Sequence, residues 1–275
     1  MSSEDTHAPS GAGQQVYFHS PLPSQIGSEF ELAGDEGHHA FAVRRRRVGD
    51  QLLLTDGVGG WAQVQVVAVA KHAGTVVVMA AGRQAPAPVQ IQVVQALPKA
   101  DRAGDTVAGL TQAGAQVIVP WQSRHSVSDW RAGKASKGQQ RWQRIADEAA
   151  KQSRRLWWPV ISEPISRLAE MSADIVLVCD ETAHVPLPEV LASPPIAQRL
   201  AAARQITAAT ATDQLAAAPP LSIAVVVGPE GGFSEAERNE LQELGTPVSL
   251  GPIVWRTALA GTIATAFVAA AAGHW

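Results

Sequence analysis

Ile223-Ala-Val-Val-Val-Gly228-Pro229-Glu230-Gly231-Gly232-Phe233-Ser234-Glu235-Ala236-Glu237 is the stretch whose reading decides the fold. Five apolar residues predict a buried strand. The strand runs into a glycine-rich turn, and Ser234 with Glu237 forms a capping-box pattern that marks where the next helix begins. Glycine lets a backbone take left-handed conformations and approach a ligand closely. Strand, turn and helix in that order place the turn at the carboxyl end of a strand, where open α/β sheets bind their ligands. Neither G-x-G-x-x-G nor G-x-x-x-x-G-K-S/T occurs, so the dinucleotide and P-loop fingerprints are missing. Read from its residues alone, the stretch is either a ligand loop or a plain tight turn.

Outward from it, the 275-residue chain changes rhythm once. Upstream, Gln51–Thr55, Asp56–Gly60 and Trp61–Val67 read as strand, turn and strand, with a further strand over Val76–Met79. Residues 16–84 therefore predict a small β-barrel, behind a polar and disordered segment over 1–15. Gln84-Ala-Pro-Ala-Pro88 is a stiff linker and the natural boundary. Over 89–275, strands alternate with helices: strands at Val89–Leu97, Val117–Val119, Ile175–Cys179 and Ile223–Val227, and helices at Asp101–Ala113, Gln139–Trp157 and Thr257–Ala272. Pro159 is expected to stop the second helix. Residues 192–222 predict an inserted helix, and no chemistry is assigned to them.

Composition limits the function classes. Hydrophobic residues make up 46% and charged residues 17%, a globular balance. A lone cysteine, Cys179, excludes a disulfide framework and a cysteine-rich zinc site, and reads as a small buried strand residue. No secretory leader and no membrane span are predicted, so a cytoplasmic protein is expected. The net charge is −3, yet 12 of the 22 basic residues fall in two short segments. One is Arg44, Arg45, Arg46 and Arg47. The other runs from Arg131 to Arg155 and includes Lys151 and Arg154. Together these favour an RNA partner, with a solvated helix face as the rival for the second. His38 and His39 adjoin the first run, as RNA contacts or as turn residues at a strand start. Trp157 and Trp158 either stack on bases or pack.

Gly228-Pro229-Glu230-Gly231-Gly232-Phe233-Ser234, followed by Leu250-Gly251-Pro252 and Arg256-Thr257, resembles the cofactor-binding signature of the RsmE family of SPOUT RNA methyltransferases. Collinear segments add to it: Ala96–Arg102, Ala113–Ala115 with Ile118–Pro120, and Glu148–Arg155 ending at Pro159. Upstream, His39, Val43, Arg45, Gly49 and Asp50 resemble a PUA-like RNA-binding barrel. The resemblance implies a C-terminal α/β domain with a deep trefoil knot, a homodimer, and methylation of N3 of a uridine in 16S rRNA of the small ribosomal subunit. The cofactor it implies is S-adenosyl-L-methionine, leaving S-adenosyl-L-homocysteine. It further implies cofactor binding by Gly228, Pro229, Glu230, Gly231, Gly232, Leu250, Gly251, Ile253, Arg256 and Thr257. RNA contacts fall to His39, the four arginines of the first run, Lys99, Arg154 and Arg155.

The methyl donor arrives activated, so no metal is expected. The uridine nitrogen is a poor nucleophile while protonated, and a cation near the uracil oxygens is the simplest aid. Arg256 is the first candidate for that part, then Arg155 and Arg102. Arg256 has two other readings, as a helix cap or as the partner of Glu230. The chain departs from the family pattern: Ile253 stands where an arginine is usual and Ala258 where a glutamate is usual, while Gly104, Gly109 and Gln112 replace charged positions. Those losses keep two rivals open: a non-catalytic RNA-binding or ribosome-assembly protein of the same fold, and a SPOUT enzyme acting on another RNA.

Overall fold

The computed structural model describes residues 15–131, 133–210 and 219–274, with 206–210 described by backbone alone. The expected disordered segment therefore lies, but for its last residue, outside the described residues, as does 211–218 of the 192–222 insertion. The chain divides into two compact units. One comprises residues up to Pro86 together with Ala150–Trp158; the other comprises Ala87–Ala149 and Pro159 onward.

The first unit contains β1 (Val16–Phe18), β2 (Glu29–Leu32), a short α1 (Gly34–Gly37), a π-helical turn over His38–Val43, β3 (Gln51–Thr55), β4 (Gly60–Val69) and β5 (Gly74–Arg83). The strand order is β1-β3-β4-β5-β2. Side chains alternate across a strand. Leu52, Leu54, Ala62, Val64, Val76 and Val78 thus share one apolar cluster with Tyr17 and Phe41, while Leu53 and Trp61 fall in another with Leu156. The predicted β3–β4 turn is built by Asp56, whose Oδ1 accepts from the main-chain N–H of Val58 and Gly60, each at 2.8 Å. His38 and His39 open the π-helical turn rather than a strand, which corrects the turn-at-a-strand-start reading.

The second unit contains β6 (Val89–Ala96), α2 (Ala103–Ala113), β7 (Val117–Trp121), most of α3 (Ala135–Gln152), β8 (Val160–Ile161), a 3-10 turn (Leu168–Glu170), β9 (Ile175–Cys179), α4 (Leu187–Ala192), α5 (Pro194–Thr210), β10 (Leu221–Val227), α6 (Glu235–Leu244), β11 (Thr246–Val248) and α7 (Thr257–Ala272). Its six strands run β11-β9-β10-β6-β7-β8, every pair parallel. Parallel sheets are covered on both faces. Val93, Leu177 and Val225 pack with α2, α3, α4 and α7 residues on one face, while Val94, Val178 and Val226 pack with Leu168 and Leu241 on the other.

The predicted α3 needs correction. It begins four residues earlier than expected and ends at Gln152, seven residues before Pro159. Arg154 takes φ +58, and the N–H of Arg155 donates to Ala150 O at 2.9 Å, so a left-handed closing turn ends the helix. Ser153 to Trp157, within the helix expected from the sequence, lie beyond its end.

Candidate functional site

Register sets the floor of the site. Val227 of β10 pairs with Gln95 of β6 and with Cys179 of β9, and Cys179 pairs with Val248 of β11. Four parallel strands thus finish in one row. Just beyond that row lies a cleft of about 720 Å³. Ligand clefts span roughly 300–1,000 Å³, so this one has the capacity for a nucleoside-sized molecule.

Two loops wall it. The first is the turn after β10. Gly232 N–H donates to Pro229 O at 2.9 Å, and Gly232 takes φ +70, which a residue with a side chain rarely tolerates. Phe233 then folds back beneath the turn. Its ring stacks on Trp121 at 6.1 Å, and a Cβ on Gly228 would stand 2.9 Å from it, so Gly228 must stay bare. Burying that ring contributes roughly 1.5–3 kcal/mol. Ser234 caps α6: its Oγ accepts from Glu237 N–H, and its own N–H and Oγ donate to Glu237 Oε2, both at 2.7 Å. The capping box read from the sequence is therefore real and holds the turn's exit.

The second loop follows β11. Gly251 has φ +111, and its N–H donates to Ser249 Oγ at 3.2 Å. Trp255 Nε1 closes the loop onto Leu250 O. Among the described residues the main-chain N–H groups of Leu250, Val254 and Arg256 have no acceptor within the chain, which leaves donors available on the cleft wall.

Of the residues expected to hold cofactor, Gly228, Pro229, Glu230, Gly232, Leu250, Gly251, Ile253, Arg256 and Thr257 line the cleft. Gly231 does not line it and instead abuts His125. Lys99 and Arg102 line it as well. Arg256 is the N-cap of α7 through its carbonyl, which accepts from Leu259 and Ala260 N–H at 2.8 and 2.9 Å. Its exposed guanidinium makes no cap bond and no ion pair with Glu230 among the described residues, so neither rival role occupies it. Arg102 caps α2 through its main chain, with its guanidinium 3.6 Å from Asp101.

The remaining candidates belong to the first unit. Arg155 Nε donates to Trp157 O at 2.9 Å, and burial pulls its guanidinium down to about 10, still charged at neutral pH. His39 lies edge-on to Tyr17 and 3.4 Å from Arg44 Nε. Arg45 takes φ +54 at the end of the π-helical turn, and Arg47 N–H donates to Asp50 Oδ2. Arg46 and Arg44 flank them there. The second basic segment is split between the units, with Arg131–Arg144 in one and Lys151–Arg155 in the other. Lys151 is committed to Glu36 at 2.5 Å. Trp157 and Trp158 lie flat on the Gly57–Gly60 turn, where a Cβ on Gly59 would stand 2.5 Å from the Trp157 ring; packing is their structural role.

Sequence reasoning missed Asp105, Asp180, Glu181 and Arg238, all on the cleft. Asp180 follows β9 directly, and ligands gather beyond strand ends, so the strand prediction carried the signal. Asp180 Oδ2 accepts from Arg238 at 3.0 Å and Oδ1 accepts from Thr182 N–H and Oγ1, so this carboxylate is engaged. Cys179 sits in the wall, and burial pushes its thiol up to about 12, which removes it as a nucleophile near neutral pH. Among the described residues no group of three or more His, Cys, Asp or Glu side chains could hold a metal, and no helix is long and apolar enough to cross a membrane.

The second unit is thus a parallel α/β sheet with a nucleoside-sized cleft at its strand ends, and the first is mostly β-strand. Residues 85–269 match the RNA methyltransferase domain family, and residues 32–79 match the RNA methyltransferase PUA domain. Ribosomal RNA small subunit methyltransferase E of Mycobacterium bovis is 32% identical over 270 residues, covering 94% of this chain and 93% of that protein. The Bacillus subtilis protein of the same name is 29% identical over 252 residues, covering 88% and 91%. A crystal structure of the Neisseria gonorrhoeae methyltransferase E, bound to S-adenosyl methionine, shares the fold at TM-score 0.71 and 22% identity, covering 94% of this chain and 97% of that one. The chain belongs to the ribosomal RNA small subunit methyltransferase E family.

Proposed function

We propose that this chain transfers the methyl group of S-adenosylmethionine to N3 of a uridine in the 16S rRNA of the small ribosomal subunit, in the cytoplasm and as a homodimer. The observation that carries the reading is the cleft beyond β6, β9, β10 and β11, walled by Gly228–Phe233 and Leu250–Thr257. Its residues fit the cofactor. Val227, Val248 and Leu250 offer apolar surface to a purine. The unpartnered N–H groups offer donors to ring nitrogens. Charged groups of both signs on the cleft, Glu230 and Asp105 with Arg102, suit an amino-acid zwitterion.

S-adenosylmethionine supplies a sulfonium methyl that needs no metal or further activation. The chain's own contribution is placement and charge. Holding uridine against the cleft makes the encounter effectively unimolecular. Arg256, with Arg102 as a further cation on the same cleft, would stabilise negative charge on the uracil oxygens as N3 gives up its proton to solvent, and the N3 lone pair would form the new N–C bond as the S–C bond of the sulfonium breaks, leaving S-adenosylhomocysteine. Lys99, Arg154 and the Arg44–Arg47 run with His39 supply phosphate contacts. The homodimer rests on exposed apolar groups around the start of α7: Val254 is 76% exposed and Leu259 49%. Such surface beside a cleft is the kind that a second copy covers. The trefoil knot is proposed on the family resemblance.

The test is deletion of the gene, followed by reverse transcription of small-subunit rRNA. An N3-methyluridine blocks the transcriptase, so the reading predicts a stop that vanishes on deletion and returns with the wild-type gene. Cofactor binding with an unchanged stop pattern would favour the non-catalytic protein or another RNA target, the readings that draw on Ile253 and Ala258.

A further inference from the structure

The loop Gln122–Trp130 follows β7. It is tied down internally. Ser123 Oγ and Ser126 Oγ lie 2.8 Å apart, Gln122 Nε2 donates to Ser128 O at 3.1 Å, and Trp130 N–H donates to Gln122 Oε1 at 2.8 Å. It is also tied to both sides of the cleft. Ser128 Oγ donates to the carbonyl of Pro98, next to Lys99, at 2.5 Å. Arg124 N–H donates to Glu237 Oε1 at 2.8 Å, the carboxylate whose other oxygen holds Ser234.

His125 stands between these anchors. Its Nδ1 lies 3.0 Å from Gly232 O. A carbonyl oxygen only accepts, so Nδ1 must carry the hydrogen, and this tautomer follows from the partner. On the same turn, a Cβ added to Gly231 would stand 3.0 Å from His125 Cβ. The His125 side chain therefore lies against Gly231 and its imidazole holds the oxygen of Gly232, while neither His125 nor Gly231 lines the cleft. A turn carrying Gly231 and Gly232 in sequence has many accessible conformations when unsupported. An external donor that fixes the Gly232 peptide selects one of them before any ligand arrives, which lowers the ordering cost of binding.

We infer that His125 is a positioning residue that pre-forms the Gly228–Gly232 turn for the cofactor through its Nδ1–H···O bond to Gly232. The inference rests on the reading that this turn binds S-adenosylmethionine. His125 touches neither cofactor nor RNA in this role, and it moves no proton.

The test compares the full-length protein with His125→Ala and His125→Asn by calorimetric titration with S-adenosylmethionine, steady-state methyl transfer and thermal melting. Asparagine places an N–H donor the same number of bonds from Cα as Nδ1 of histidine. One hydrogen bond is worth roughly 0.5–1.5 kcal/mol, so the alanine variant should bind cofactor about five-fold more weakly. Its KM for cofactor should rise alike while kcat stays within about two-fold, and the asparagine variant should recover most of the affinity. Melting temperatures should stay within a few degrees across the three. Should His125→Ala not fold, His125→Asp, which removes the donor but keeps the polarity, takes its place against His125→Asn. Equal affinity in wild type and the donorless variant overturns the inference alone, as does failure of asparagine to rescue. No binding by the wild-type protein overturns the reading of the cleft as well.

Discussion

Trp255 Nε1 donates to the carbonyl of Leu250 at 3.1 Å, and this one bond shuts the loop that faces the glycine turn across the cleft. The indole is partly buried and packs against the main core, so the loop is fastened to the domain as well as to itself. Replacing Trp255 with Phe keeps most of the ring and deletes the donor. Cofactor affinity should fall about three- to ten-fold in a calorimetric titration, the range expected for one hydrogen bond. An unchanged affinity would mean that the closed loop is irrelevant to the site.

Arg256 presents an exposed and unengaged guanidinium at the cleft, while its backbone caps α7. Removing a group that stabilises developing negative charge costs on the order of a hundred-fold in kcat. Arg256→Ala should therefore lose about that much in single-turnover methyl transfer while its cofactor affinity stays within a few-fold. A parallel loss of both would recast the residue as a cofactor ligand.

Cys179 is the sole cysteine and lines the cleft. Thiols react as thiolates, so reactivity rises with pH through the pKa. With burial pushing that value up to about 12, alkylation by iodoacetamide at pH 8 should run about a thousand-fold slower than for an ordinary thiol near 8.5. Mass spectrometry over time measures it; rapid modification at pH 8 would contradict a thiol raised that far.

Three helices end in the same pair of closing bonds. After α2 and α7 the left-handed residue is Gly114 or Gly273, but after α3 it is Arg154. A left-handed residue with a side chain costs roughly 1–2 kcal/mol. Arg154→Gly should raise stability by about 1 kcal/mol in denaturant unfolding and weaken RNA binding measured at fixed salt. Greater stability with unchanged RNA affinity would remove Arg154 from the RNA surface.

How much of this was legible in the sequence follows from range. The Ser234–Glu237 box and the Gly114 cap are made by residues a few positions apart, and both were readable. Val227 and Cys179 were recognisable as strand residues, yet their meeting in one row depends on register between distant strands. The end of α3 was misjudged because periodicity carries on through Leu156 and Pro159 offers an obvious stop. The actual stop is a conformation of Arg154 that no propensity suggests. Asp180 was legible only as the residue that follows a strand, while its ion pair with Arg238 and the fastening of the turn by His125 were invisible because each depends on a partner more than 50 residues away. The basic run from Arg131 to Arg155 looked continuous, but it is divided between two units, with Lys151 neutralised by Glu36.

The most direct trial of the whole account is calorimetric titration of the wild-type protein with S-adenosylmethionine. The cleft geometry predicts a saturable heat with one site per chain, matched by competition from S-adenosylhomocysteine. Well-folded protein that gives no heat of binding with either would contradict it.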